Sequence, residues 1–409
     1  MVSYSYMRRA FTNRTNGSAM RAIRSHLFAL TLVGGTTAFT FAVENGRAQA
    51  PSRSSREHLV SADSTGLNKS GDGGPYVFLQ SDSSAVVMYM RDSAVDRQTC
   101  RYLDTLRFSG VGSASGTDYV VSGAPPAVGA QVFDGVSKII AVSDVHGDYE
   151  SLIEVLQNGG VIDKNLRWVW GTGHLVVLGD IFDRGDKVND CLWLIYRLEQ
   201  ESQRVGGLVH FILGNHELMV LRGDYRYVHE KYLSGIVTAA DLEYRDLYGP
   251  NTVLGQWLRS KHAALKINGV LFVHGGISRL SVERGLSLTQ INEGIRASID
   301  EASSALAVDT LRQLLLGRQG PLWYRGYLNA MEGAYPLASC EDIDLVLRHY
   351  EATTIVIGHT EVEQVSGSHD TRIIAVDVPV EELGGLQALL CKDGRFYRIE
   401  GGGDIQPIE

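Results

Sequence analysis

The chain has 409 residues, of which 44% are apolar and 21% are charged, and its formal net charge at pH 7 is −9. This length and composition indicate a globular protein with one large domain or two ordinary ones. Six of the 38 basic residues lie within residues 1–50 beside one acidic residue, Glu44, so the rest of the chain is more acidic still. Such a chain excludes a nucleic-acid partner, because nucleic-acid binding requires a basic face.

The first 50 residues have the order of an export signal. Arginines precede an uncharged stretch from Leu27 to Val43, and Ala48-Gln49-Ala50 follows as a small-residue cleavage site. We therefore predict a signal peptide at 1–50, a periplasmic or secreted mature chain, and no stable membrane partner after cleavage. The alternative is an uncleaved segment that tethers the protein to a membrane. Translation starts at either Met1 or Met20.

Residues 51–74 lack periodicity and are predicted to be a flexible linker. A small β region follows at 75–130, with predicted strands at 76–80, 85–90 and 98–103. Residues 131–409 form the predicted main domain. The cysteines permit three disulfide pairings if all are oxidised, and the sequence leaves that choice open: Cys100, Cys191, Cys340 and Cys391.

Five apolar runs in the main domain are each followed by a polar cluster. The runs are predicted as buried strands at 138–142, 174–178, 208–213, 270–273 and 353–357. Helical patterns separate several of them, which predicts an α/β fold with its ligands outside the carboxyl ends of the strands. Taken singly, each polar residue has an ordinary interpretation as a helix cap, a turn residue or a core histidine. Their occurrence after five strands favours a functional site.

The candidate ligands are carboxylates, imidazoles and one amide: Asp144, His146, Asp180, Asn215, His274 and His359. Mixed oxygen and nitrogen ligands without thiolate favour Mn, Fe or Zn. Six ligands exceed the needs of one ion, and a shared Asp commonly bridges two divalent ions. Arg184 and Arg325 are suited to bidentate contact with phosphate, the alternative for each being a surface ion pair. His216, oriented by Asp183, is the candidate general acid.

The chain resembles the phosphoprotein phosphatase (PPP) family of metallophosphoesterases in five motifs, which occur in the family's order over about residues 138–380. They are Asp144-Val-His146-Gly147, Gly179-Asp180-Ile-Phe-Asp183-Arg184-Gly185, Gly214-Asn215-His216-Glu217, His274-Gly275-Gly276 and Gly358-His359-Thr360. The resemblance implies the calcineurin-like fold, in which two β-sheets pack together and helices flank them, here with a small β extension at the amino end.

The resemblance also implies roles for the site residues. Asp144, His146 and Asp180 would hold one ion, and the second would be held by Asp180, Asn215, His274 and His359. His216 and Asp183 occupy the positions of the acid pair. Arg184, Asn215 and Arg325 would contact the phosphate, and a water held by the two metals would attack directly, without a phosphoenzyme.

Some features depart from the usual Ser/Thr enzymes of the family. Ser143 stands in place of Gly, Asp148 stands in place of Gln, and the loop Leu322–Gly326 replaces a Ser-Asp-Pro form. A helical, aromatic-rich insertion occupies 218–262. These departures resemble the Shewanella-like phosphatase branch, which includes enzymes that prefer phosphotyrosine.

We therefore predict a metal-dependent phosphomonoesterase that acts on phosphorylated proteins or peptides and prefers phosphotyrosine to phosphoserine or phosphothreonine. Aromatic walls from the insertion and from the loop at Trp323 would provide that preference. The alternative is that these aromatic residues form the insertion's own core. Two other functions remain open, namely a dinucleoside polyphosphate hydrolase or phosphodiesterase, and a metal-dependent binding protein without catalysis.

Overall fold

Two six-stranded mixed β-sheets pack face to face in the computed structural model. The structure describes residues 59–60, 73–81, 83–101, 105–109, 118–122, 124–301, 309–328, 336–380 and 385–409. These residues belong to one unit, Ser55–Glu409. The predicted export signal lies outside the described residues, as does the predicted linker except for residues 59–60 and 73–74, which lie in strands.

Parallel strands form one half of the first sheet and antiparallel strands the other. Its spatial order is Leu208–Phe211, His174–Val177, Lys138–Val142, Ala388–Lys392, Arg395–Ile399 and Ile405–Pro407. The first three strands are mutually parallel, so their carboxyl ends lie at one edge of the sheet.

The second sheet has the order Ser366–Ser368, Ile373–Ala375, Thr354–Ile357, Val270–Val273, Ala264–Ile267 and Val132–Phe133. Val270–Val273 and Thr354–Ile357 are parallel neighbours. The five predicted strands that precede the polar clusters are therefore confirmed, three in one sheet and two in the other.

Side chains that alternate along the strands fill the space between the sheets. Ile139 and Ala141 of the first sheet lie in one apolar cluster with Phe272 and Val356 of the second. Their neighbours on the opposite face, such as Ile140, pack in the larger cluster that includes the helices. This period of two is expected for strands that are buried on both faces. The predicted fold of two packed sheets flanked by helices is confirmed.

The α-helices in the described residues are Tyr149–Asn158, Val188–Gln203, Asn215–Leu221, Glu230–Tyr232, Thr238–Ala240, Val253–Arg259, Arg279–Glu283, Leu288–Ser298, Thr310–Leu316 and Cys340–Tyr350. A π-helix spans Leu233–Val237 and a 3₁₀-helix spans Tyr244–Tyr248. Within the described part of the chain, no helix has both the length and the apolar character needed to cross a membrane.

A small four-stranded sheet near the amino end has the order Leu59–Val60, Ala94–Arg101, Ser84–Arg91 and Gly73–Ser81, and Thr105–Ser109 pairs with Asp118–Ser122. The four-stranded sheet packs on the helix Val188–Gln203. There the Pro75 carbonyl accepts hydrogen bonds from the Asn189 side chain at 3.3 Å and from the Trp193 indole at 2.9 Å. The predicted strand at 98–103 lies instead at 94–101. It begins earlier because a tight turn at Asp92 and Ser93, both with positive φ, joins it to the preceding strand.

All four cysteines are free thiols. Three are buried and Cys340 is exposed. The structure therefore contains no disulfide among these residues.

Candidate metal centre

The polar clusters lie in sharp turns directly after the strands. Six of their residues have left-handed backbone conformations, with φ between 47° and 72°: Asp144, His146, Asp180, Asp183, Arg184 and His359. Asp and His tolerate this region better than most residues, which suits these sequences to such turns. Hydrogen bonds join the first two turns, since the N–H of His146 donates to the Asp180 carbonyl at 2.8 Å.

Asp180 belongs to two groups of side chains whose ligand atoms lie within 4.8 Å of one another. One group contains His146, Asp180 and His216, and the other contains Asp180, His274 and His359. Asp180, His216, His274 and His359 are buried, and His146 is partly buried. A carboxylate shared by two such groups is the arrangement that a pair of divalent ions requires.

The histidines are oriented by the backbone. Nδ1 of His146 lies 2.8 Å from the Phe182 carbonyl, and Nδ1 of His274 lies 2.6 Å from the Leu178 carbonyl. Each Nδ1 therefore carries the proton, and Nε2 is directed to the centre as a metal ligand would be. Nε2 of His359 is buried and has no hydrogen-bond partner among the residues that the structure describes. An orphaned imidazole nitrogen at this place fits a metal ion.

The charges around His274 favour a cation at the centre. Its Nε2 lies 2.9 Å from Oδ1 of Asn215 and 3.2 Å from Oδ2 of Asp180. Burial lowers the pKa of His274, but the carboxylates of Asp180 and Asp144 outweigh it and raise the pKa to about 10. The surrounding groups therefore stabilise positive charge, which suits divalent ions.

Asp144 lies beside the centre but in neither three-residue group. Its Oδ2 accepts hydrogen bonds from the Ser143 hydroxyl and from the N–H of His359, the latter at 3.0 Å. The sequence assigned no role to Ser143. Its hydrogen bond to Asp144 becomes evident only in the structure, where the end of one strand meets the turn at His359, which is distant in sequence.

His216 is held by two carboxylates. Its Nδ1 lies 2.6 Å from Oδ2 of Asp183, and its Nε2 lies 3.8 Å from Oδ2 of Asp180. Burial lowers the pKa of His216, but the charge of Asp180 and the hydrogen bond to Asp183 outweigh this effect and raise the pKa. The imidazole is therefore able to hold a proton beside the centre.

The two candidate phosphate-binding arginines lie at the rim. A guanidinium nitrogen of Arg325 lies 3.4 Å from Nδ1 of His359. Arg184 is exposed, and its backbone N–H donates to the Tyr227 carbonyl at 2.8 Å. Burial lowers the pKa of His146; the carboxylate of Asp180 opposes this effect, and the positive charge of Arg184 adds to it. Burial likewise lowers the pKa of His359, and the charge of Arg325 contributes to the lowering, so both guanidinium groups act electrostatically on imidazoles of the centre.

Glu217 joins two loops of the site, although the sequence suggested no role for it. Its fully buried carboxylate accepts backbone N–H groups from four residues: Gly214 at 2.7 Å, Asp180 and Ile181 at 2.8 Å, and Phe182 at 3.3 Å. Glu217 is the third residue of a helix whose N-cap is Gly214. A Glu at this position is a recognisable capping signal that could have identified it.

Asp377 is a further buried carboxyl group that the sequence reading missed. It follows the strand Ile373–Ala375 and is 5% exposed. Burial and the charge of Asp144 raise its pKa well above the ordinary value. Its place after a buried strand is the same signal that identified the other clusters.

Two aromatic rings border the centre. The Tyr227 ring lies 5.4 Å from the His216 ring, and the Trp323 ring lies 5.8 Å from the His359 ring, between centroids. Tyr227 is 50% exposed. The other large aromatic side chains of the insertion include four in the core: Tyr232, Tyr244, Tyr248 and Trp257. The alternative interpretation of the insertion's aromatic residues as core therefore holds for these four but not for Tyr227.

Comparisons with known proteins agree with this geometry. Residues 137–363 match the family model described as calcineurin-like phosphoesterase. The cold-active protein-tyrosine phosphatase of a psychrophilic Shewanella species is 35% identical and superimposes with a TM-score of 0.76, over 82% of this chain and 99% of that one.

Two curated relatives are Shewanella-like protein phosphatases. Shewanella-like protein phosphatase 1 of Plasmodium berghei is 31% identical over 224 residues, which are 54% of this chain and 61% of that protein. Shewanella-like protein phosphatase 2 of Arabidopsis thaliana is 25% identical over 288 residues, which are 60% of this chain and 72% of that protein. The chain thus spans less than two thirds of the Plasmodium relative.

The fold and the ligand groups are those of a metallophosphoesterase, a hydrolase of phosphoric esters. The chain belongs to the calcineurin-like phosphoesterase family and, within it, to the Shewanella-like branch of the phosphoprotein phosphatases. The family resemblance inferred from the five motifs is confirmed.

Proposed function

We propose that this protein is a two-metal protein phosphatase that prefers phosphotyrosine. The observation that carries the proposal is the membership of Asp180 in both ligand groups. The protein-tyrosine phosphatase of Shewanella, similar over 82% of this chain, supports the choice of substrate.

Two divalent ions would be held by the side chains that the sequence identified. Asp144, His146 and Asp180 are assigned to one ion, and the second is assigned to Asp180, Asn215, His274 and His359. The absence of thiolate among these ligands favours Mn, Fe or Zn. When bound, the ions would activate a water molecule and neutralise charge on the phosphoryl group.

His216 is assigned as the general acid that protonates the leaving oxygen. Its hydrogen bond to Asp183 fixes the ring and leaves Nε2 directed to the centre. Arg184 and Arg325 are assigned to the phosphate oxygens, because guanidinium groups bind phosphate with two parallel hydrogen bonds. Asn215, whose Oδ1 contacts His274, would supply its amide N–H to the same oxygens.

Tyr227 and Trp323 are the side chains assigned to substrate preference. In phosphotyrosine an aromatic ring lies between the phosphate and the peptide backbone, whereas phosphoserine has only one methylene group there. With the phosphate at the metal centre, the ring can therefore contact the aromatic side chains at the rim. One such ring contact contributes roughly 10–200-fold to specificity. Matched phosphotyrosine and phosphoserine peptides of otherwise identical sequence test this preference through the ratio of their kcat/KM values. A ratio near one would leave the phosphatase assignment standing and remove the preference.

The reaction itself is tested with metal-stripped protein to which Mn²⁺ is returned. Hydrolysis of a phosphomonoester that depends on the added ion is the expected result. Faster hydrolysis of a phosphodiester or a dinucleoside polyphosphate would favour those substrates. Two bound ions without hydrolysis of any phosphoester would indicate a binding protein.

We further propose that the protein is exported, on the strength of the arginine-rich start, the uncharged stretch and Ala48-Gln49-Ala50. The mature chain would then begin at Pro51. Amino-terminal sequencing of protein made in a secreting host tests this, and recovery of an intact form from Met1 or Met20 would contradict it.

A further inference from the structure

Ser143 contacts a candidate metal ligand directly. It follows the strand Lys138–Val142, and it is 1% exposed. Its hydroxyl donates a hydrogen bond to Oδ2 of Asp144, which also accepts the N–H of His359 at 3.0 Å. With Oδ2 engaged by two donors, Oδ1 is the oxygen left to bind an ion.

The opposing turn is shaped to admit this hydroxyl. A Cβ atom on Gly358 would lie 2.0 Å from Oγ of Ser143 and 2.5 Å from Oδ2 of Asp144. Any side chain at 358 would therefore displace the pair. The N–H of Gly358 donates to the His274 carbonyl at 2.8 Å, which holds the turn against the neighbouring strand. Two strand ends, one from each sheet, thus meet around the Ser143 hydroxyl.

We propose that Ser143 is a positioning residue that holds the Asp144 carboxylate in the orientation in which it would bind one metal ion. This inference rests on the two-metal centre of the proposed function. Donors to a metal-binding carboxylate fix its orientation, and their loss commonly weakens metal binding by about 10–100-fold. Glycine, which the usual Ser/Thr enzymes of the family carry at this position, provides no such donor.

The test is metal binding rather than turnover. Metal-free wild-type protein and the variants Ser143→Ala and Ser143→Gly are titrated with Mn²⁺ by calorimetry, with urea unfolding as the check on folding. Ser260→Ala is the matched control, because Ser260 is also buried but donates to the Trp257 carbonyl. We expect the Kd of one ion to rise about 10–100-fold in both Ser143 variants and to stay unchanged in the control.

A second comparison shows whether Ser143 acts through Asp144. In an Asp144→Asn background, adding Ser143→Ala should cause no further loss of affinity, because the oriented ligand is already gone. Equal fold-losses in the two backgrounds, or wild-type affinity in both Ser143 variants, would overturn the inference. Wild-type protein that binds fewer than two ions would instead contradict the proposed function.

Discussion

His216 and Asp183 form a hydrogen-bonded pair, with Nδ1 of the imidazole 2.6 Å from Oδ2 of the carboxylate. Asp183 is buried, and its other oxygen has no hydrogen-bond partner within the described part of the chain. The carboxylate therefore acts on His216 at one point and fixes the ring in one orientation. His216 belongs to one of the two ligand groups, and its proposed role is proton transfer, so a substitution at His216 tests whether it serves as an acid or as a ligand.

Replacing His216 with Asn should lower turnover by about 10²–10⁴-fold while two ions remain bound. The loss should be smaller for nitrophenyl phosphate than for an alkyl phosphate, because nitrophenolate needs little protonation to leave. Steady-state kinetics on both substrates, with metal content measured on the same samples, checks the prediction. Equal losses on both substrates would show that His216 only positions the site.

Replacing Tyr227 or Trp323 with Leu should reduce the preference for phosphotyrosine peptides over phosphoserine peptides by roughly 10–200-fold. The effect should appear in the ratio of the two kcat/KM values and leave phosphoserine turnover nearly unchanged. Tyr397→Leu is the control, because Tyr397 lies on the strand Arg395–Ile399, which does not lead into the centre. An unchanged ratio in both variants would show that Tyr227 and Trp323 do not provide the preference for phosphotyrosine.

Replacing Glu217 with Gln should destabilise the protein although the side chain keeps its size. In the wild type, backbone N–H groups donate hydrogen bonds to both carboxylate oxygens, whereas in the variant an amide NH₂ would face some of these donors. The buried donors would be left unpaired, at a cost of about 1–3 kcal/mol. Urea unfolding measures the change, with Glu154→Gln on the exposed face of the helix Tyr149–Asn158 as the control. Equal stability of the Glu217→Gln and Glu154→Gln variants would contradict the structural role.

A pair of buried histidines on two neighbouring strands of the first sheet, His174–Val177 and Leu208–Phe211, should make stability depend on pH. Nε2 of His210 lies 3.0 Å from Nδ1 of His174. Burial lowers the pKa of His174 to about 4, and burial with the charge of His174 lowers that of His210 to about 3. The unfolded chain takes up these protons near pH 6.5 and the folded protein does not. The contribution of this pair to the free energy of unfolding is therefore fully present above about pH 6.5 and is lost as the pH drops toward 4.

The histidine pair is tested with the double variant His174→Gln, His210→Gln. Its urea midpoint should fall less steeply between pH 6.5 and 4 than that of the wild type. His229→Gln, at an exposed histidine, should follow the wild-type slope. Parallel slopes for the double variant and the wild type would show that other groups dominate the acid sensitivity.

The sequence was sufficient to place the strands and the clusters after them. Apolar runs such as Lys138–Val142 and Val270–Val273 are short, and the residues that flank them are serine, glycine or histidine, so the sequence indicates both that they are strands and about where they end. It could not show that Asp144 would be turned toward Ser143 and His359. That depends on contact between turns from two different sheets, which no local pattern records.

The sequence also could not show which aromatic rings of the insertion enter the core. Tyr225, Tyr227 and Tyr232 are close together in the chain, yet Tyr227 is half exposed and Tyr232 is buried. Packing against the amino-terminal sheet decides which rings enter the core, as in the edge-to-face contact of Tyr76 with Tyr248. A tertiary contact of this kind overrides any pattern within the insertion.

The proposed bridging of two metal ions by Asp180 is tested most directly by metal counting combined with kinetics. Asp180→Asn removes the negative charge that both ligand groups share, so it should lower the occupancy of the ions and the acidity of the attacking water. Metal analysis of the purified variant and turnover of a phosphomonoester are measured beside the wild type. We expect a folded protein with fewer than two ions and turnover lower by orders of magnitude. A variant that binds two ions and keeps most of its turnover would contradict the bridging assignment.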